Sequence, residues 1–352
     1  MNNIYDLTSK QLIEYIESIG EKKYRSTQIF NWLHNKNICS ISNMSNINKS
    51  LLDRLQNDFD TFVPTIIEKY ESKIDDTIKY LTKLHDGNVI ETVLMKYKYG
   101  YSLCISSQVG CNMGCAFCAS TIGGLKRNLQ IYELLWQVYA IDNELIKANK
   151  EKISHIVIMG TGEPLNNLDN ILSFLNIIND ENGKKLSIRN ITMSTCGIVE
   201  NIDKLAQCNL PITLALSLHA PNDIVRRKIM PIANKYDIDT VASAMANYYH
   251  KTKRNITFEY ILIENTNDSI EDAYELVKLL LKHIDKSNFN VNLIPINTIK
   301  ESIFKRPSKD RIDAFVSVLN KYHINNTIRR ELGSDISSSC GQLRYTYIHK
   351  ES

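Results

Sequence analysis

The sequence predicts an α/β fold: a partial (β/α)6 barrel of the TIM type, preceded by a small N-terminal helical accessory domain and a β-hairpin extension. Three observations predict it. Apolar residues recur at helical spacing up to about residue 60, period-two segments follow, and from about residue 101 apolar strands alternate with helical patterns. The βα units number five or six, short of the eight in a complete barrel.

Residues 1–60 form the accessory domain. Leu12, Ile13, Ile16 and Ile19 space as one helix, and Ile29, Phe30 and Leu33 as a second starting near Ser26-Thr27-Gln28. Leu51, Leu52 and Leu55 follow, after a Ser/Asn-rich connection over 40–50. In the region 61–100, segments 77–81 and 89–93 flank His85-Asp86-Gly87-Asn88; Asp-Gly between alternating segments signals a hairpin. The barrel occupies 101–352. Its strand candidates are 101–107, 156–159, 191–193, 212–218, 256–263 and 289–294, with helices over 132–146, 168–178, 199–207, 238–249 and 270–284.

No run of 18 apolar residues occurs, which excludes a helical membrane span. The first residues lack the basic-then-apolar layout of a signal peptide, so secretion is not expected and a cytoplasmic location is. A net charge of +3 neither demands nor excludes a nucleic-acid partner. Eight cysteines in such a chain are expected to stay reduced, so a tight group of them reads as metal or redox chemistry.

That group is Cys111-Asn112-Met113-Gly114-Cys115-Ala116-Phe117-Cys118, directly after a predicted strand. By chance such a triplet is expected roughly 0.003 times per chain. Structural zinc is one reading, but zinc takes four ligands and no fourth Cys or His lies nearby in sequence. Three thiolates can instead hold three irons of a [4Fe–4S] cluster and leave the fourth open. Downstream, Gly160-Thr161-Gly162-Glu163-Pro164 is a glycine turn that lets backbone approach a cofactor, with a carboxylate able to accept from an ammonium group. Ser194, the stretch Ser217-Leu218-His219, and Asn297 fall at or just past strand ends. Taken singly, each reads as a capping, turn or structural residue. Cys104 and Cys340 read as buried, inert thiols from composition alone, although Cys340 has small polar neighbours. Cys39, Cys196 and Cys208 read as packing residues.

Several segments occur in order: the cysteine triplet, Gly123-Gly124-Leu125-Lys126-Arg127-Asn128-Leu129, the glycine turn, Ser194-Thr195-Cys196-Gly197, Ser217-Leu218-His219-Ala220-Pro221-Asn222-Asp223, Asn292-Leu293-Ile294-Pro295-Ile296-Asn297, and Cys340-Gly341-Gln342-Leu343. In these the chain resembles the RlmN/Cfr family of radical S-adenosylmethionine (SAM) adenine methyltransferases, over essentially its whole length. Thr161 departs from the family, where Met is common. The resemblance implies a radical-SAM barrel with a [4Fe–4S] cluster on Cys111, Cys115 and Cys118. It implies SAM, two per turnover, bound by Gly162, Glu163, Ser194, Ser217, Leu218, His219 and Asn297. It implies Cys340 as the methyl-carrying cysteine, Cys104 as the thiol that resolves the adduct through a transient disulfide, and Glu91 as proton acceptor.

The implied reaction is methylation of C2 of adenine in 23S rRNA and tRNA by a monomer, with flavodoxin or ferredoxin as electron donor. C2 lies between two ring nitrogens and is too electron-poor to attack a sulfonium methyl, so a carbon radical must add to it. A C8-methylating relative of the Cfr type is one alternative; a non-catalytic metal- or cluster-bearing RNA-binding protein is another. Basic groups at Lys126-Arg127, Arg226-Arg227-Lys228, Lys251 to Arg254, Lys305-Arg306 and Arg329-Arg330 are candidates for phosphate contacts, and Tyr97, Tyr99 and Tyr101 for base stacking.

Overall fold

The structure is a computed structural model that describes residues 2–297 and 304–336; the segment containing Cys340 lies outside the described residues. Helices α1 (Ser9–Ser18), α2 (Tyr24–His34) and α3 (Lys49–Asp58) come first. Thr8 and Gln11 close a capping box on α1, and the Asn48 side chain accepts from Leu51 N at the start of α3. Helix α2 begins two residues ahead of Ser26, whose hydroxyl donates to the Lys23 carbonyl at 2.6 Å and so caps nothing.

Strands β1 (Thr65–Glu71), β2 (Ile78–Lys83), β3 (Val89–Tyr97) and β4 (Gly100–Cys104) form an antiparallel ribbon. β5 (Gln108–Val109) and β6 (Arg127–Asn128) pair separately and bracket the cysteine segment. Then come α4 (Ile131–Lys147), β7 (Ile153–Ile158), α5 (Leu168–Asn179), β8 (Ile191–Thr195), α6 (Val199–Gln207), β9 (Thr213–Ser217), α7 (Asp223–Ile229), α8 (Ile238–Thr252), β10 (Ile256–Leu262), α9 (Ile270–His283), β11 (Phe289–Pro295), α10 (Lys309–Lys321) and β12 (Asn326–Ile328). The ten strands run β1-β2-β3-β4-β7-β8-β9-β10-β11-β12 in one sheet, parallel from β4 onward. β4 and β7 to β11 are the six strands of the predicted partial barrel, and short β12 follows.

Besides the short β5 and β6, four elements go beyond the sequence reading. β1 is an edge strand without a buried residue, and β12 is three mostly exposed residues, so neither carries an apolar signal. α7 hides in a basic run, and α10 follows a stretch rich in charge. β3 is buried over its first seven residues instead of alternating, because its second face meets α4: Thr92 Oγ1 donates to Gln137 Oε1 at 3.1 Å. The N-terminal helices share the main core with α4, where Tyr5 packs edge-on against Trp136 at 5.5 Å. Cys39 and Cys208 are exposed, contrary to a packing role, since one sits in a loop and the other at the end of α6. Between the sheet's two ends, the turn after β1 is tied to the segment after β12. Ser72 Oγ and Lys73 N donate to the two oxygens of Asp335, both at 2.7 Å, and Gly333 N donates to Asp75 Oδ2 at 2.9 Å. Among the described residues no helix is long and apolar enough to cross a membrane.

Candidate active site

The parallel strands deliver their C-terminal ends to one rim, where barrels of this kind place their chemistry. The loop from β5 to β6 carries the three cysteines across that rim and is gripped along its length. Cys196 Sγ donates to Met113 Sδ at 3.3 Å, and Ala116 N donates to the Ile229 carbonyl at 2.9 Å. Gly114 packs against Pro231, and Phe117 stands edge-on to His219 at 5.0 Å. Gly110 opens the loop with φ +81°, where a Cβ would lie 1.9 Å from the Gly124 carbonyl oxygen, so only glycine fits.

Cys111 is buried; Cys115 and Cys118 are half-buried. Burial pushes the Cys111 thiol up to about 11 and the Cys115 thiol up to about 12, and the neighbouring cysteines push in the same direction. Such a trio becomes thiolate when a metal takes the place of the protons. Among the described residues no three or more His, Cys, Asp or Glu side chains are arranged to hold one metal ion. A cubane assigns each thiolate its own iron and needs no such convergence, so three soft donors on one loop fit a [4Fe–4S] cluster.

The glycine turn after β7 lies beside this loop. Gly162 has φ +112°, and a Cβ there would fall 2.6 Å from Gln108 Cβ. Gln108 Oε1 in turn accepts from Glu163 N at 2.8 Å. Glu163 is buried, which raises its carboxyl above the usual range, while the amides of Leu165 (3.0 Å) and Cys196 (2.8 Å) each donate to one of its oxygens and oppose that rise. The Thr195 and Cys196 side chains also bond this carboxylate and act in the same direction as the amides.

Ser194 lies on β8 and Ser217 ends the adjacent β9. Leu218 N and His219 N both donate to the Glu259 carbonyl, at 3.1 and 3.2 Å. His219 adopts a left-handed φ of +58°, and its Nδ1 accepts from Ile261 N at 3.0 Å. Burial pulls this imidazole down to about 3, so it is neutral with its proton on Nε2. Asn297, two residues past β11, lines a cavity of about 260 Å³ together with Cys104, Phe117, Cys118 and Tyr97.

Cys104 ends β4 opposite Val93, so the two side chains share the sheet face that lines this cavity. Glu91, two residues before Val93 on β3, lies on that face as well. The Nζ of Lys79, opposite Val93 on β2, is 2.9 Å from Glu91 Oε2, and the two side chains are 0% and 4% exposed. Thus Cys104 and Glu91 share one face and Cys104 shares the cavity with Cys118, whereas Cys340 lies outside the described residues. No disulfide joins two of the described cysteines.

Sequence reasoning missed Lys79 and misread Arg226. In an alternating segment Lys79 reads as an outward residue, and Arg226 reads as one of a basic patch, yet both are fully buried. Arg127, half-buried, is already committed to carboxylates: Glu133 accepts from two of its nitrogens at 2.7 and 2.8 Å, and Asp86 from a third at 2.6 Å. Arg329 and Arg330 are exposed and line the cavity, whose Tyr97 stacks on Tyr99 at 5.0 Å and 7°.

A model of the radical SAM superfamily matches residues 105–277, and one of the ribosomal RNA large subunit methyltransferase N-terminal domain matches residues 2–60. The chain is 49% identical over 348 residues to the probable dual-specificity RNA methyltransferase RlmN of Lachnoclostridium phytofermentans, covering 99% of this chain and 96% of that protein. The protein of the same name from Clostridium tetani is 48% identical over 352 residues, covering 100% of this chain and 98% of the relative. Among solved structures, a radical SAM methyltransferase from Sphaerobacter thermophilus superimposes with a TM-score of 0.91 at 38% identity, over 97% of this chain and 99% of that one.

Proposed function

Because this chain belongs to the RlmN family of radical SAM RNA methyltransferases, we propose that it methylates C2 of an adenine in 23S rRNA and of an adenine next to the anticodon in tRNA, in the cytoplasm. The observation that supports this reading best is the cavity shared by Cys104, Cys118 and Asn297, with Glu91 on the sheet face that lines it. Membership implies a [4Fe–4S] cluster and SAM, which when bound supply a transferable methyl group and a 5′-deoxyadenosyl radical.

Cys111, Cys115 and Cys118 hold the cluster, with a flavodoxin or ferredoxin as reductant. Gly162, Glu163, Ser194, Ser217, Leu218, His219 and Asn297 seat SAM, with Glu163 accepting from its ammonium group. Cys340 would accept the methyl group that bound SAM supplies, and its S-methyl group would then give up a hydrogen atom to the radical that a second SAM supplies. The methylene carbon on Cys340 adds to C2, which yields to a radical where it would not act as a nucleophile. Glu91, held by Lys79, takes the C2 proton of the radical adduct, whose one unpaired electron would return to the cluster held by the three cysteines. Cys104 then attacks the Cys340 sulfur: the carbon–sulfur pair leaves with the methylene carbon, which takes up a proton, and a transient Cys104–Cys340 disulfide remains.

In domain terms, residues 101–352 carry catalysis, 61–100 complete the wall holding Glu91, and 1–60 assist RNA binding. The Tyr97–Tyr99 stack with Arg329 and Arg330 offers the RNA a π surface and phosphate partners at the cavity. Mass spectrometry of nucleosides from rRNA fragments and tRNA incubated anaerobically with the protein and SAM tests the reading. 2-Methyladenine is the expected product; 8-methyladenine would assign the C8 reaction instead, and an unmodified base would remove the assignment.

A further inference from the structure

Arg226 is 0% exposed, and among the described residues it forms no ion pair with a carboxylate, Asp223 being paired with Arg227 instead. Its Nε donates to the Leu218 carbonyl at 3.2 Å and its Nη2 to the Cys196 carbonyl at 2.8 Å. Its Nη1 is buried and has no partner. The acid one turn away in sequence, Asp223, is engaged elsewhere: Arg227 lies 4.0 Å from it, and it accepts from Ile238 N at 3.0 Å. Asp223 attracts this guanidinium only from beyond ion-pair distance, and closing it off from water with one nitrogen unbonded among the described residues is costly. Its cost falls if an anion is seated beside it.

The surroundings say where that anion belongs. The two carbonyls that hold the guanidinium come from the loops after β8 and β9, which carry Cys196 and Leu218. Cys196 gives its amide to Glu163 and its thiol to Met113 of the cysteine loop. The end of α7 and the turn after it form the wall on which that loop rests, through Ile229 and Pro231.

We propose that Arg226 is a cofactor-binding residue whose unpartnered Nη1 donates to the anion assembled at Cys111, Cys115 and Cys118, either a sulfur of the cluster or the α-carboxylate of SAM. This rests on the reading of those cysteines as cluster ligands. A fixed cation there favours the reduced cluster, because one electron from an external reductant adds one negative charge to the site. It likewise favours a bound carboxylate.

The experiment uses full-length protein, reconstituted anaerobically, as wild type, R226K, which keeps the charge, and R226Q, which removes it. Iron content and thermal stability are measured first. The cluster's midpoint potential is then followed by EPR during dithionite titration without SAM, and equilibrium binding is measured for SAM and for decarboxylated SAM. If the partner is a cluster sulfur, R226Q lowers the midpoint potential while R226K stays near wild type. If it is the carboxylate, R226Q weakens SAM binding tenfold or more, and decarboxylated SAM binds wild type and R226Q alike. An iron-loaded R226Q with wild-type potential and wild-type SAM affinity overturns the inference.

A variant at a buried arginine can fail to fold, so wild-type protein labelled with guanidino-15N arginine provides a second measurement. Pulsed EPR of its reduced cluster, with and without SAM, should show coupling to a guanidinium nitrogen; none in either state overturns the inference. A wild type that takes up no iron removes the cluster reading and this inference together, whereas the other negative outcomes remove only the role of Arg226.

Discussion

Replacing Lys79 by Met removes the cation that faces Glu91 across β2 and β3. The two charged atoms are 2.9 Å apart, with side chains 0% and 4% exposed. At that distance and an effective dielectric of about 20, they attract by about 6 kcal/mol. Part of that attraction offsets the desolvation of both groups, so the pair adds little net stability over an apolar substitute. Removing one member alone takes the Lys79 cation away from a buried carboxylate, and Lys79→Met should therefore cost about 3–5 kcal/mol. Pairing it with Glu91→Leu should recover most of the loss, to within about 1 kcal/mol of wild type, because the double variant buries no charge at this position. Urea denaturation followed by circular dichroism, with unchanged m-values, measures both quantities. A single variant that loses under about 1 kcal/mol, as an exposed pair would, refutes the reasoning. So does a double variant whose losses simply add.

His34 is fully buried, with Nδ1 3.1 Å from the Tyr139 hydroxyl, and burial lowers its pKa from 6.5 to about 3. The unfolded chain therefore binds the proton first, so stability falls as pH drops from 6.5 towards 3, by about 1.4 kcal/mol per unit from this residue; His34→Phe should flatten the slope by that amount in denaturation at pH 6 and pH 5. Gly162→Ala should weaken SAM binding and destabilise the fold by more than Gly87→Ala, whose φ of +82° meets no atom within 4 Å and costs only about 1–2 kcal/mol; equal melting temperatures for the two would contradict this. Cys104→Ala should accumulate protein bonded to RNA through Cys340, seen as a nuclease-sensitive mass increase, whereas normal turnover would show that Cys104 only fills space. Replacing Cys111, Cys115 and Cys118 by Ala should abolish uptake of about four irons per chain, with iron analysis of anaerobic protein as the check.

Periodicity exposed the barrel because its strands and helices bury one kind of surface at a regular repeat. α6 spans Val199–Gln207 as the pattern predicts, and β10 departs by one residue. The cysteine loop was equally legible, since ligand spacing is written locally. What sequence hid was charge placed inside. Lys79 and Arg226 are charged residues in segments whose alternation or basic company reads as solvent-facing, and only tertiary packing turns them inward. Glu91 shows the converse: the role proposed for it rests on resemblance, while its Lys79 partner follows from the register between β2 and β3. Cys39 and Cys208 erred the other way, because a cysteine carries no local sign of which side of a loop or helix end it will occupy.

The contacts joining the turn after β1 to the segment after β12 bear on how the molecule admits something as large as RNA. Everywhere else around the sheet, neighbours are held by ladders, and separating them breaks several cooperative bonds at once. At this seam the hoop is buckled by Ser72, Lys73 and Asp75 meeting Gly333 and Asp335, and the two bonds to Asp335 are solvent-exposed. Exposed polar contacts exchange with water at small net cost. Among the described residues, the contacts beside Arg329 and Arg330 therefore cost less to break than any strand ladder of the sheet.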